Sequence, residues 1–269
     1  MIIDFDDLKP LGSTGERIPA IGIGTWDIRD YILAEDALVH AIEIGLGMID
    51  TAEIYGDGLA EELVGRVIKR VGRENVFITT KLKPQHFISK YTVFRAIEKS
   101  LARLGISTVD LVLVHWPEYI IPIKNYIKYL EALVDNGYTR YIGVSNFSLE
   151  DLALALTYLK KHDIVVNQVK YSVLDKSVEK GLLPYMIDMK ITMQAYTPLE
   201  RGAIAGNKHL IELGKKYGKT PVQIGLNYLI SHKMVVAVPK TERRERVDEF
   251  KGAMGWRLSI DDIKYLRDI

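Results

Sequence analysis

Along this chain, short apolar runs alternate with longer stretches in which apolar residues return every three or four positions. The first pattern suits strands covered on both faces, and the second suits amphipathic helices. Strands are predicted near 21–25, 47–50, 76–81, 110–115, 139–144, 165–169, 191–195 and 235–238. Helices are predicted near 31–45, 59–71, 91–104, 123–136, 149–160, 177–188, 207–217, 221–232, 243–250 and 260–267. Several carry start signals: Ser148 precedes Leu149-Glu150-Asp151, and Ser259 stands three before Asp262. Thr220-Pro221-Val222-Gln223 supplies an N-cap, a proline at the first helical position and a capping-box glutamine. Repeated β-α units predict a parallel sheet, and eight strands predict a closed (β/α)8 TIM barrel as one α/β domain over 1–269. A hairpin is expected over 11–18, ahead of the first strand.

Four chemically active side chains fall at or just past the ends of successive strands. Asp50 follows Met48-Ile49, and Tyr55 comes one short turn later. Lys81 ends Val76-Phe77-Ile78-Thr79-Thr80, and His115 ends Leu111-Val112-Leu113-Val114. That edge is where parallel barrels assemble their active sites. Taken singly, each residue has an ordinary explanation. Asp50 caps a helix, Tyr55 packs as one of 15 tyrosines, Lys81 faces solvent, and His115 packs beside Trp116.

Together with their surroundings these residues resemble the aldo-keto reductase family, nearly end to end. Gly22-Ile23-Gly24-Thr25-Trp26 is similar to the family's first barrel strand. Gly143-Val144-Ser145-Asn146-Phe147, Asn167-Gln168-Val169-Lys170-Tyr171, Tyr196-Thr197-Pro198-Leu199 and Val238-Pro239-Lys240-Thr241 are similar to its cofactor segments, in its order. The resemblance implies carbonyl reduction by hydride transfer from NADP(H), without metal. Tyr55 would be the proton donor, Lys81 would lower its pKa, Asp50 would balance Lys81, and His115 would orient the substrate oxygen. It also implies that Ser145, Asn146 and Gln168 bind the nicotinamide carboxamide and that Tyr196 stacks on the ring, with Pro198 and Leu199 beside it. Lys240, Thr241 and Arg246 would surround the adenosine 2′-phosphate, so that NADPH binds more tightly than NADH, and Glu249 would lie near the adenine. Phe250 stands where the family usually has asparagine. Trp26 and Trp116, with Tyr55 and His115, would line the substrate pocket.

Two other readings stay open. A lysine at a barrel strand end also suits Schiff-base lyase chemistry. A nicotinamide-binding regulatory subunit of this fold is the other. There is no Gly-x-Gly-x-x-Gly before a helix, which argues against a Rossmann domain. The segment after Pro117 is short, and the chain ends at Ile269 soon after the last predicted helix, where some family members carry a long tail over the pocket. An open, permissive pocket is expected. Lys83, two residues beyond Lys81, is a candidate contact for a substrate carboxylate.

Composition narrows the classes. With 36 basic and 35 acidic residues, bulk nucleic-acid or membrane-surface binding is not expected. No cysteine is present, which excludes disulfides and thiol catalysis. The acidic start, Met1-Ile2-Ile3-Asp4-Phe5-Asp6-Asp7, lacks the pattern of a signal peptide, and no apolar run is long enough to span a bilayer. A cytoplasmic protein is expected, a monomer or weak oligomer, with small carbonyl compounds as partners. Scarce glutamine and 26% charged residues lean towards a thermophilic source.

Overall fold

Alternation along each buried strand determines what enters the barrel. In a computed structural model, which describes residues 3–269, the strands are β3 (Ile23–Gly24), β4 (Met48–Asp50), β5 (Phe77–Leu82), β6 (Val109–Val114), β7 (Thr139–Ser145), β8 (Ile164–Lys170), β9 (Thr192–Tyr196) and β10 (Val235–Ala237). Every neighbouring pair is parallel, in chain order. Met48, Phe77, Leu111, Leu113, Val236 and Val238 share one buried cluster inside the barrel, while Ile49, Ile78, Leu82, Val112 and Val114 belong to the layer beneath the helices. Side chains two apart point the same way. Asp50 therefore follows Met48 inward, Lys81 follows Phe77 and Thr79, and His115 follows Leu111 and Leu113.

The sheet closes through parallel bridges of Ile21 with Ala237 and Gly24 with Lys240. The N–H groups of Gly22 and Gly24 donate to the carbonyls of Ala237 and Pro239, each at 2.9 Å. Gly22 is required at this seam, because a Cβ there would stand 2.5 Å from the Met48 carbonyl oxygen.

The helices are α1 (Tyr31–Glu43), α2 (Leu59–Val71), α3 (Lys90–Leu104), α4 (Ile123–Asp135), α5 (Leu149–Thr157), α6 (Leu182–Asp188), α7 (Lys208–Tyr217), α8 (Pro221–Ile230), α9 (Arg244–Lys251) and α10 (Ile260–Asp268). The capping boxes at Ser148 and Thr220 form as expected, and Ser259 caps α10. The helix expected over 177–188 is divided. A 3-10 turn covers Ser177–Lys180, and Gly181, at φ −157° and ψ −57°, breaks it from α6.

The hairpin lies further out than 11–18. Its strands are β1 (Leu8–Pro10) and β2 (Arg17–Pro19), and most of the expected span is their connection. Gly12 and Gly15 explain the shift, since their positive φ of 54° and 81° makes the turn. Leu11 and Ile18 enter the interior cluster with Met48 and Phe77, so the hairpin stops the N-terminal end of the barrel. No helix among the described residues is long and apolar enough to cross a membrane.

Candidate active site

Lys81 is the centre of the open, C-terminal rim. Its side chain is 0% exposed. Its ammonium donates to Asp50 Oδ2 at 2.8 Å, to the Thr51 carbonyl at 2.9 Å and to the Tyr55 hydroxyl at 3.0 Å. Three N–H donors thus meet three acceptors. Burial pulls the Lys81 pKa down, but Asp50 and then Tyr55 outweigh it, and the net direction is up. A nucleophilic amine needs the reverse, so this lysine is poorly suited to Schiff-base chemistry. Asp50 is held on its other side by Gln168, whose Nε2 donates to Oδ1 at 2.6 Å.

Tyr55 reaches Lys81 because the chain reverses sharply after it. Gly56 and Asp57 are left-handed, at φ 56° and 53°, conformations that glycine and aspartate tolerate best. Burial raises the Tyr55 pKa, Lys81 opposes this, and the net direction is up. Lys81 does lower it, as expected, but desolvation of the phenolate outweighs one ammonium. The phenol therefore carries its proton at neutral pH.

His115 lies just past β6 and meets Tyr55 edge-on, with ring centroids 5.6 Å apart. Its Nδ1 is buried and has no hydrogen-bond partner among the described residues. An unpaired acceptor costs less than an unpaired N–H, so the proton belongs on Nε2. Burial, and then the Lys81 charge, push the His115 pKa down to about 3. Unfolded, the same imidazole titrates near 6.5, at about the model-peptide value. Above that pH it is neutral in both states. As pH falls from 6.5 towards 3, the unfolded chain gains a proton that the folded chain refuses, and stability drops. His115→Asn is therefore expected to lose less stability than the wild type between pH 7 and pH 4.5 in chemical denaturation. Equal losses would refute the assigned burial effect.

Asn146 links this cluster to the neighbouring strand ends. Its backbone is left-handed at φ 59°, which asparagine tolerates. Its N–H donates to the Gln168 carbonyl at 2.8 Å, its Nδ2 donates to the His115 carbonyl at 3.3 Å, and its Oδ1 accepts from the Tyr196 hydroxyl at 2.9 Å. Ser145 is buried beside it. Pro198 is buried and Leu199 half-buried in the turn after Tyr196. Around the rim, Gly24 pairs with Asp50 on one side and Lys240 on the other, so Lys240 lies on the same edge as the tetrad. Thr241 is buried, and its hydroxyl accepts from the Arg243 N–H at 3.1 Å. Arg246 and Glu249, one turn apart on α9, form an ion pair. Phe250 is buried in the core.

Trp26 is 47% exposed, with the Arg201 guanidinium 5.2 Å from its ring centroid. Trp116 packs against His115 with centroids 4.8 Å apart. Lys83 is half-buried, and its own N–H donates at 2.6 Å to Glu53, a carboxylate that also faces His86. Sequence reasoning did not find four contacts: the Thr51 carbonyl on Lys81, the tie of Gln168 to Asp50, the stacking of Arg201 on Trp26, and the pairing of Lys240 with Glu242. The first three depend on residues distant in the chain or on main-chain atoms that carry no sequence signal, whereas Lys240 and Glu242 are two apart and their spacing was there to be read.

Comparison with known proteins bears on what this rim is. The profile of the Aldo/keto reductase family matches residues 20–269. The chain belongs to the aldo-keto reductase family. Among solved family members, a thermostable aldo-keto reductase in complex with the inhibitor epalrestat is 38% identical, covering 97% of this chain and 98% of its own, with a TM-score of 0.90. An aldo/keto reductase from Klebsiella pneumoniae, in complex with NADP and acetate, is 33% identical over 98% of this chain and 95% of its own, with a TM-score of 0.91. The glyoxal reductase of Bacillus subtilis is 34% identical over 93% of this chain and 88% of its own. The aldo-keto reductase fold and its oxidoreductase class are therefore those of this chain.

The rim has the donors and acceptors that a nicotinamide dinucleotide requires. Ser145 and Asn146 stand together, Gln168 keeps its Oε1 and one amide hydrogen after binding Asp50, and Tyr196 presents a half-buried ring. Among the described residues, no group of three or more histidine and carboxylate side chains is placed to hold a metal ion.

Proposed function

We propose that this aldo-keto reductase reduces aldehydes and ketones to alcohols with NADP(H), and that Tyr55 is the general acid. The observation that carries this reading is the buried Lys81 joined to both Asp50 and Tyr55, with a neutral His115 edge-on to the phenol. Bound NADPH supplies the hydride to the carbonyl carbon. As charge grows on the carbonyl oxygen, the Tyr55 hydroxyl transfers its proton there. The phenolate left behind is balanced by the Lys81 ammonium, which Asp50 keeps protonated. Water at the mouth returns the proton to Tyr55. His115 Nε2–H donates to the same oxygen and fixes its angle.

On this reading Ser145, Asn146 and Gln168 hold the carboxamide, and Tyr196 covers one face of the ring. Lys240, Thr241 and Arg246 receive the 2′-phosphate. Trp26 and Trp116 wall the substrate side, which favours small or flat carbonyl compounds. The glyoxal reductase relationship makes small dicarbonyls the first substrates to try. Spectrophotometric consumption of NADPH should follow addition of glyoxal or a simple aromatic aldehyde. No consumption with any carbonyl compound would reject the reading.

Glu53 beside Lys83 weakens any pull of that lysine on a substrate carboxylate. The expected result for Lys83→Ala is a change of less than about threefold in the kcat/KM ratio of a carboxylated aldehyde to its neutral analogue, the size of an exposed charge pair. A larger fall in that ratio would place Lys83 in the substrate site.

A further inference from the structure

The cations of the proposed phosphate site are already partnered. Lys240 Nζ lies 2.5 Å from Glu242 Oε1, and Arg246 Nη1 lies 2.5 Å from Glu249 Oε2. The two pairs differ in kind. Arg246 is 55% exposed on a helix surface, and can leave its partner at little cost. Glu242 is 17% exposed and anchored. Its Oε1 also accepts the Arg29 N–H at 2.9 Å, and its Oε2 accepts the Asp30 N–H at 3.2 Å. These amides lead into α1, whose N-terminus favours an anion. Moving the carboxylate would leave two backbone donors unpaired. The side chain that can move is Lys240, which is 31% exposed.

We propose that Glu242 is the residue that sets discrimination between phosphorylated and unphosphorylated dinucleotides in this protein. This rests on the cofactor placement proposed above. A 2′-phosphate dianion approaching Lys240 meets a fixed carboxylate that already neutralises it, and must draw the ammonium away against like-charge repulsion. A ribose 2′-hydroxyl meets no such repulsion and can donate to the carboxylate. Lys240 and Arg246 alone would give a wide preference for NADPH, and Glu242 narrows it. The wild type then prefers NADPH to NADH by about tenfold or less, where two unopposed charge-assisted contacts would give far more.

The test is titration of tryptophan fluorescence with NADPH and with NADH, for the wild type, Glu242→Gln and Glu242→Ala. Glutamine removes the charge and keeps its one acceptor oxygen for the Arg29 or the Asp30 amide, whereas alanine removes both acceptors. The ratio of NADH to NADPH dissociation constants is expected to rise at least about fivefold in both variants, through tighter NADPH. NADPH binding should also become more sensitive to salt in both. A rise confined to Glu242→Ala would mean a loosened loop and would overturn the proposal. So would an unchanged ratio in Glu242→Gln, or a wild-type preference clearly beyond about tenfold, with the cofactor placement left standing. If neither dinucleotide binds the folded wild type, the cofactor placement fails, and the role of Glu242 fails with it. Thermal midpoints of the variants confirm that folded protein is being compared.

Discussion

Tyr55→Phe is expected to lower turnover at least about a hundredfold, the contribution typical of a general acid, while NADPH binding stays nearly unchanged. The substitution removes one oxygen and keeps the ring, so the edge contact with His115 at 5.6 Å survives. Lys81 loses one of three acceptors but keeps Asp50 and the Thr51 carbonyl, and the site should hold its shape. His115 cannot take over the proton transfer. With its pKa near 3 it has no ionisable proton to give at neutral pH beyond the N–H it uses as a hydrogen-bond donor. The measurement is single-turnover reduction of a carbonyl compound at saturating NADPH, alongside cofactor titration. Near-wild-type turnover would remove Tyr55 from the acid role. Lost turnover together with lost cofactor binding would point to a collapsed site instead.

The second large effect concerns stability. Asp50→Asn leaves the Lys81 ammonium buried without a countercharge, and Lys81→Met leaves the Asp50 carboxylate in the same condition. Each is expected to cost about 3–5 kcal/mol, as when one member of a buried ion pair is removed. Relief comes if the remaining group neutralises. Without Asp50, burial would dominate and the lysine would tend to lose its proton. The double variant removes both charges together, so its loss should fall short of the sum of the two by at least about 2 kcal/mol. Equilibrium denaturation of the wild type, both single variants and the double variant measures the coupling. Additive losses would mean that the 2.8 Å contact is not an ion pair of consequence in the folded protein.

The positions of the barrel strands were legible because each is an apolar run of the right length. Their inward residues were legible because alternation from Phe77 leads to Lys81 and from Leu111 leads to His115. Those local periods and run ends placed Asp50, Tyr55, Lys81 and His115 at one edge, and the family resemblance, not the pattern, gave them their roles. The hairpin was misplaced because its strands, Leu8–Pro10 and Arg17–Pro19, are three residues long and carry almost no periodic signal. The break at Gly181 was hidden inside an otherwise helical pattern, where an isolated glycine is usually tolerated. Contacts between distant segments were beyond reach. Gln168 meets Asp50 across 118 positions, and Glu242 meets the Arg29 amide across 213. The direction of the Tyr55 pKa was hidden for a related reason. It depends on how completely water is excluded around the phenol, which a list of neighbouring charges does not state.

The seclusion of Lys81 has a practical consequence. Of the described lysines, only it and Lys9 are fully shielded, and Lys9 belongs to the hairpin at the opposite end, where it donates to the Ile230 carbonyl at 2.6 Å. Amine-reactive reagents should therefore leave two dark positions in a lysine footprint of the native protein, one at each end. The order in which they become labelled during unfolding would tell which end of the molecule gives way first.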